Sequence, residues 1–134
     1  MPNAFVDSNL LIYAADGSLP ISRKTTIARE VLRQRELWIS VQVLNEFTVD
    51  ARKKLKHSPE EWQLWLGRLL LFSISPLTTE TFLTALAIHA RYPLSHWDSL
   101  IIASAREAAC PIVYSEDMNH GQNYDGVQVI NPFM

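Results

Sequence analysis

The sequence predicts an α/β domain of three layers, with a mainly parallel sheet of four or five strands between two layers of helices. Three observations predict it. Short apolar runs alternate along the chain with longer stretches of helical period, the pattern of parallel strands joined by crossover helices. The chain has 134 residues and is 48% hydrophobic, enough for one compact core. No repeat, low-complexity segment or linker divides it, so residues 1–134 are expected to form a single domain.

Taken in order, Ala4-Phe-Val6 is the first strand and ends at Asp7; Leu10-Leu-Ile-Tyr-Ala14 continues with helical spacing until Asp16-Gly17 breaks it. From Ser22 to Arg35, Ile27, Val31 and Leu32 form one stripe while Arg23, Lys24, Arg29 and Arg33 lie elsewhere, which makes an amphipathic helix. Leu37-Trp-Ile39 is the second strand, followed by a longer helix from Val41 to Lys56. Ser58-Pro59-Glu60-Glu61 opens another with an N-cap, a proline in the first helical position and acids in the first turn, and it runs to about Leu70. The alternation in Phe72-Ser-Ile-Ser-Pro-Leu77 gives a third strand. Thr78 or Thr79 caps a helix that reaches Arg91, where Tyr92-Pro93 stops it. Ser95 to Ala109 is a further helix, Ile112-Val-Tyr114 the fourth strand, and Val127–Ile130 a fifth beyond the Asp125-Gly126 turn.

Composition narrows the function. With 19% charged residues and a net charge of −2, the chain is neither disordered nor a broadly basic nucleic-acid binder, so an anionic substrate must be held locally. Cys110 is the only cysteine, which excludes a disulfide framework and a cysteine-rich zinc site; it reads as a small buried apolar residue in a reducing compartment. The opening residues lack the basic segment and apolar region of a signal peptide, and no apolar run is long enough to span a membrane. A soluble cytoplasmic protein is the expectation. The glycines at 17, 67, 121 and 126 cannot form a P-loop, and the absence of lysine beyond Lys56 excludes a response-regulator receiver.

Ligand sites in such folds lie at the carboxyl ends of the strands. Asp7 closes the first strand and Asp117 follows the fourth. Asp98, near the start of its helix, shares a face with Ile101, Ile102 and Ala105; Glu46 lies in the first turns of the helix after the second strand, between Val43 and Val49. Each acid alone has a structural reading. Asp7 caps the next helix, Ser95-His-Trp-Asp98 has capping-box spacing, Glu116 or Asp117 caps a turn, and Glu46 pairs within its own helix or faces water. Jointly they bring four carboxylates to one sheet edge, where repulsion raises their pKa values until a cation offsets the charge. Oxygen ligands suit Mg²⁺ or Mn²⁺, ions that accompany phosphate substrates. Removing these four acids from the net charge leaves +2 for the remainder, so the acidity is concentrated in the proposed site. Nine of the twelve Lys and Arg residues fall between Arg23 and Lys56, and Arg52, Lys53, Lys54 and Lys56 could hold a phosphate backbone nearby or form a solvated helix face.

On these residues the sequence resembles the PIN-domain ribonucleases, in particular the VapC-type toxins of toxin–antitoxin pairs. The anchors are Phe5-Val-Asp-Ser-Asn-Leu-Leu-Ile-Tyr13, Asn45-Glu46, Leu94-Ser-His-Trp-Asp-Ser-Leu-Ile-Ile-Ala103 and Ser115-Glu-Asp-Met-Asn-His-Gly-Gln122, running to Asn131-Pro-Phe-Met134. The resemblance implies metal ligation and catalysis by Asp7, Glu46, Asp98 and Asp117, with Asn9 and Ser115 orienting the ligands or a bound water. It implies cleavage of RNA to a 5′-phosphate and a 3′-hydroxyl with Mg²⁺ or Mn²⁺, a cognate antitoxin, and a homodimer to which Trp62, Trp65 and Leu66 are candidate apolar contributors. Between Glu116 and Asp117, the family pattern favours Asp117. Ser8 and Ser99 stand where many relatives carry Thr and Ala, and neither departure removes a carboxylate. His57, His89, His96 and His120 read as surface or hydrogen-bonding histidines, and Trp97 as either core packing or a base-stacking group. The rival readings are a PIN-like binding module without cleavage, against which the four intact acids count, and a DNA-directed nuclease.

Overall fold

The computed structural model describes residues 3–34 and 36–134, so Met1 and Pro2, and Arg35 at the expected end of the second helix, lie outside the described residues. The order of elements is β1 (Ala4–Val6), α1 (Ser8–Ala15), α2 (Arg23–Val31), β2 (Leu37–Ser40), α3 (Val41–Lys53), α4 (Pro59–Leu69), β3 (Ser73–Ser75), α5 (Thr79–Arg91), α6 (His96–Glu107), β4 (Ile112–Tyr114), β5 (Asn123–Tyr124) and β6 (Val127–Ile130).

Side-chain caps start five of the helices where polar residues meet apolar periodicity. Ser22, Ser40, Ser58, Thr78 and Ser95 each accept a hydrogen bond from the backbone N–H three residues on. Ser58 and Glu61 complete a reciprocal capping box. Several elements are shorter than their apolar pattern. Helix α2 gives way to a cap at Leu32, α3 to a cap at Lys54, and β3 to Pro76, whose nitrogen has no proton for a ladder.

Among the described residues the sheet has six strands rather than four or five, in the order β3-β2-β1-β4-β6-β5. All neighbours are parallel except β5 and β6. The extra strand, β5, is only two residues long, too short to carry an alternation. It pairs with β6 across Asp125 (φ 53°) and Gly126 (φ 100°), the two consecutive positive φ values of a tight hairpin turn.

Strand order explains where the helices go. The chain steps from β1 to β2 to β3 in one direction, then returns past β1 to β4 and β6. Right-handed crossovers therefore put α1 to α4 on one face and α5 and α6 on the other. The packing agrees: α1 lies against α2 and α3, α4 against α3, and α6 against β2, β3, β4 and β6 with α5 upon it. The strand order reverses between β1 and β4, which creates a crevice at their carboxyl ends. Phe5, Ile39, Phe47, Ile101, Val113 and Val129 are fully or almost fully buried in the core, each stabilising the fold by roughly 1.5–3 kcal/mol relative to exposure. Cys110 is buried and free, and burial pushes its thiol up to about 12.

Candidate functional site

Asp7 ends β1 and begins α1, at the crevice. Its Oδ1 accepts the Ser8 N–H at 2.7 Å, so it caps the helix, and its Oδ2 accepts the Ser115 hydroxyl at 2.7 Å. The carboxyl is only 3% exposed. Burial pushes its pKa up to about 7; the bonds from Ser115 and Ser8 lower it, and the charges of Glu46 and Asp117 raise it further. One residue therefore both caps α1 and ties β1 to Ser115 after β4.

Two polar side chains tie this acid to the segment after β4. Asn9 Nδ2 approaches Asp7 Oδ2 at 3.4 Å, Ser115 Oγ at 3.3 Å and Asp117 Oδ2 at 3.0 Å, while Asn9 Oδ1 accepts the Glu116 N–H at 3.4 Å. Ser115 is fully buried, and its Oγ accepts the Asp117 N–H at 3.1 Å. Asp7, Asn9, Ser115 and Asp117 thus form one network across the crevice, joining residues more than a hundred positions apart.

Glu46 of α3 lines the cleft beside Ser8, Asn9 and Asp117, and Asp98 of α6 lies outside that lining but within charge range of Glu46 and Asp117. Each is half-buried. Burial raises the pKa of Glu46, helped by the charges of Asp50, Asp98 and Asp117 and opposed by a hydrogen bond with Ser8. Burial also raises that of Asp98, helped by Asp117 and opposed by a bond with Ser95. Asp117 is exposed and contributes charge to all three of the others.

The neighbouring acid, Glu116, turns elsewhere: it accepts from Tyr13 Oη at 2.5 Å and from Lys24 Nζ at 2.8 Å, which together hold its pKa below the ordinary range despite burial. Of the expected basic group, Lys54 lines the cleft beside Asp50 and Glu46. Arg52 instead lies over the Trp62 ring at 4.3 Å, and Lys53 and Lys56 are exposed outside that lining. Trp62, Trp65 and Leu66 are half-buried against the core, so the exposed apolar surface of this face is Leu64, Leu70 and Leu71. Trp97 is 63% exposed, which removes core packing as its role. The four histidines make hydrogen bonds or aromatic contacts: His57 with the Ala15 carbonyl, His89 with that of Leu94, His120 with the Asn131 N–H, and His96 with the rings of Phe82 and Trp97.

Tyr13 and Asp50 line the cleft, and Lys24 is bonded to its lining residues Tyr13 and Glu116, but none of the three was among the site residues read from the sequence. Two had a signal. Tyr13 follows Asn9 by one turn of α1, and Glu46, Asp50 and Lys54 form a stripe on α3 at four-residue spacing. Lys24 had none, because its partner Glu116 is 92 residues away.

A metal needs a donor set that fits it. Among the described residues, no three of His, Cys, Asp or Glu converge closely enough to ligate a single ion directly. The acids nonetheless sense one another's charge, and Glu46 Oε1 is buried without a hydrogen-bond partner among the described residues. An all-oxygen set spread around a small cleft fits Mg²⁺ or Mn²⁺, since Mg²⁺ keeps several waters and takes one or two carboxylates directly.

The PIN-domain family model matches residues 4–124. The chain belongs to the PIN-domain family. No curated protein sequence matches this PIN domain. Solved structures do, by fold. A toxin–antitoxin complex from Klebsiella pneumoniae superposes with a TM-score of 0.73 at 21% identity, covering 97% of this chain and 98% of that one. The DNA-bound VapBC of Salmonella typhimurium gives 0.70 at 20% identity, covering 96% and 97%. VapC20 of Mycobacterium tuberculosis, a toxin that cleaves the sarcin–ricin loop, gives 0.67 at 18% identity, covering 87% and 92%. The PIN domain described here thus has the fold of VapC toxins. No helix among its described residues is long and apolar enough to cross a membrane.

Proposed function

We propose that this PIN domain is a metal-dependent endoribonuclease and the toxin of a toxin–antitoxin pair. The observation that carries the reading is the hydrogen-bond network that joins Asp7 to Asp117 through Ser115 and Asn9 at the strand-order reversal, with half-buried Glu46 and Asp98 within charge range of Asp117. An acid held 3% exposed at the end of a strand is costly to ionise, and a cation supplies the compensation.

Asp7, Glu46, Asp98 and Asp117 would hold Mg²⁺ or Mn²⁺, directly or through water. Bound there, the metal lowers the pKa of a coordinated water and offsets negative charge on a phosphoryl oxygen. The protein supplies the rest. Ser115 and the Ser8 N–H fix both oxygens of Asp7, so its carboxylate is oriented before a cation arrives. Asn9 holds Asp117 at the cleft mouth and keeps the 115–117 segment against α1. Tyr13 and Lys24 draw Glu116 aside, which leaves Asp117 as the acid of that segment facing the others.

RNA is favoured over DNA by the likeness to VapC20, a sarcin–ricin-loop-cleaving toxin, and by the resemblance of the motifs. Complexes of similar folds with an antitoxin support a cognate antitoxin for this chain. A homodimer is part of the same proposal, and Phe82, Leu83 and Leu86 on α5 supply exposed apolar surface for it. The test is incubation of the purified protein with structured RNAs in Mg²⁺ or Mn²⁺, with an EDTA control. Cleavage that requires the metal supports the reading, and cleavage that persists in EDTA contradicts it.

A further inference from the structure

The cleft contains more acid than a cation site needs. It encloses about 270 Å³ and is lined by α1, by Glu46, Asp50 and Lys54 of α3, and by Glu116 and Asp117 after β4. A nucleic-acid strand entering it meets Asp50 and Glu116 in addition to Glu46 and Asp117 of the centre. These two extra acids differ from the four of the centre in one respect: each has a lysine. Lys24 Nζ lies 2.8 Å from Glu116 Oε2, and Lys54 Nζ lies 3.7 Å from Asp50 Oδ2. Among the described residues, no salt bridge reaches Asp7, Glu46, Asp98 or Asp117. The acids therefore divide, among the described residues, into an inner group without a basic partner and an outer pair that each have a lysine nearby.

Neither lysine is used up by its acid. An ammonium carries three N–H donors. Lys24 gives one to Glu116 and one to Tyr13 Oη at 3.3 Å, and its side chain is 42% exposed, so a third donor remains for an incoming acceptor. It is also steadied over the rings of Tyr13 and Phe133, 5.0 and 5.4 Å from their centroids. Lys54 is too far from Asp50 for a hydrogen bond and is 67% exposed, so its donors are available. The two come from α2 and α3, both of which pack against α1, the helix that carries Ser8, Asn9 and Tyr13 along the cleft. One ammonium thus stands by the Glu116 side and the other by the Asp50 side.

We propose that Lys24 and Lys54 grip the RNA backbone phosphates on either side of the phosphodiester presented to Asp7, Glu46, Asp98 and Asp117. This rests on the ribonuclease reading above. It also reassigns the basic run on α3, because Lys54 alone of that run reaches the cleft while Arg52 is held over Trp62. The lysines have different characters. Lys24 is positioned in advance by Tyr13 and Glu116, whereas Lys54 is a mobile charge that tightens only on a bound strand.

The experiment is a salt titration of RNA binding. Fluorescence anisotropy of a short labelled single-stranded RNA is followed in Ca²⁺, a weaker activator of water that still compensates the acids, for the wild type, Lys24→Met, Lys54→Met, Lys24→Arg and Arg91→Met. On single strands, each phosphate contact contributes about 0.7 to the slope of log K against log salt. Lys24→Met and Lys54→Met should each lower the slope by about that amount and weaken binding severalfold. Lys24→Arg should restore it, which separates lost charge from lost structure. Arg91, paired with Asp125 at 2.9 Å outside the cleft lining, controls for net charge and should leave the slope unchanged. Wild-type slopes in both lysine variants, or failure of Lys24→Arg to restore binding, would overturn the proposal while wild-type cleavage of RNA in Mg²⁺ keeps the ribonuclease reading intact. A wild type that neither binds nor cleaves RNA removes both.

Discussion

Asp7 is the residue on which the site turns, because it is at once a helix cap and a buried acid. Its folded pKa of about 7 lies above the ordinary 3.8, so without metal the folded protein holds a proton there that the unfolded chain has released. Stability of the metal-free protein should therefore be full below about pH 4 and fall as the pH rises through about 7, by on the order of 4 kcal/mol from this group alone. Thermal unfolding in EDTA across that range checks it. Added Mn²⁺ should restore most of the loss at neutral pH, and a flat profile in EDTA would contradict the assignment. Asn9 acts through others, bridging Asp7, Ser115 and Asp117. Asn9→Ala should weaken Mn²⁺ binding by about 10–100-fold with little change in the unfolding temperature, measured by calorimetric titration. The four acids stood out in the sequence as candidates because each falls just after a strand or in the first two turns of a helix. The role of Glu116 did not, since the neighbours that draw it aside, Lys24 and Tyr13, belong to the first quarter of the chain.

At the level of elements, the sequence is most informative where local chemistry decides the outcome. Ser58-Pro59-Glu60-Glu61 announces α4, and Thr78 announces α5, because capping depends on neighbours within one turn. Element ends read less well, since tertiary packing decides how far a pattern continues. The end of α6 shows why. Cys110 N–H bonds the Ala105 carbonyl at 2.8 Å and Ala109 N–H that of Arg106 at 3.0 Å, closing the helix with Ala109 at φ 55°. Nothing in Ala108-Ala109 signals that stop, because glycine is the usual residue in this left-handed conformation. Ala109→Gly relieves the strain and should stabilise the protein by roughly 1 kcal/mol, read as a shift in the urea midpoint without a change in slope. An unchanged or lower midpoint would mean that Ala109 does not hold this conformation.

The whole molecule places its chemistry by topology. Two crossovers in one direction and a third in the other leave a crevice between β1 and β4, and the segments leaving those strands deliver Asp7 and Ser115 to Asp117, while α3 carries Glu46 and α6 carries Asp98, each within charge range of Asp117. The alternation of elements made the parallel sheet legible, whereas strand order required the folded chain. Exposed Phe82, Leu83 and Leu86 on α5 offer a surface for a second copy, so sedimentation at micromolar concentration should show a dimer; a monomer throughout would remove that part of the proposal. The central claim is that the four carboxylates carry out metal-dependent cleavage of RNA. Asp7→Asn keeps the shape of the side chain and removes its charge, so the most direct measurement compares its cleavage of structured RNA in Mn²⁺ with that of the wild type. The wild type should cut only with metal, and the variant, with an unchanged circular dichroism spectrum, should not cut. Cleavage by Asp7→Asn at the wild-type rate would contradict that claim.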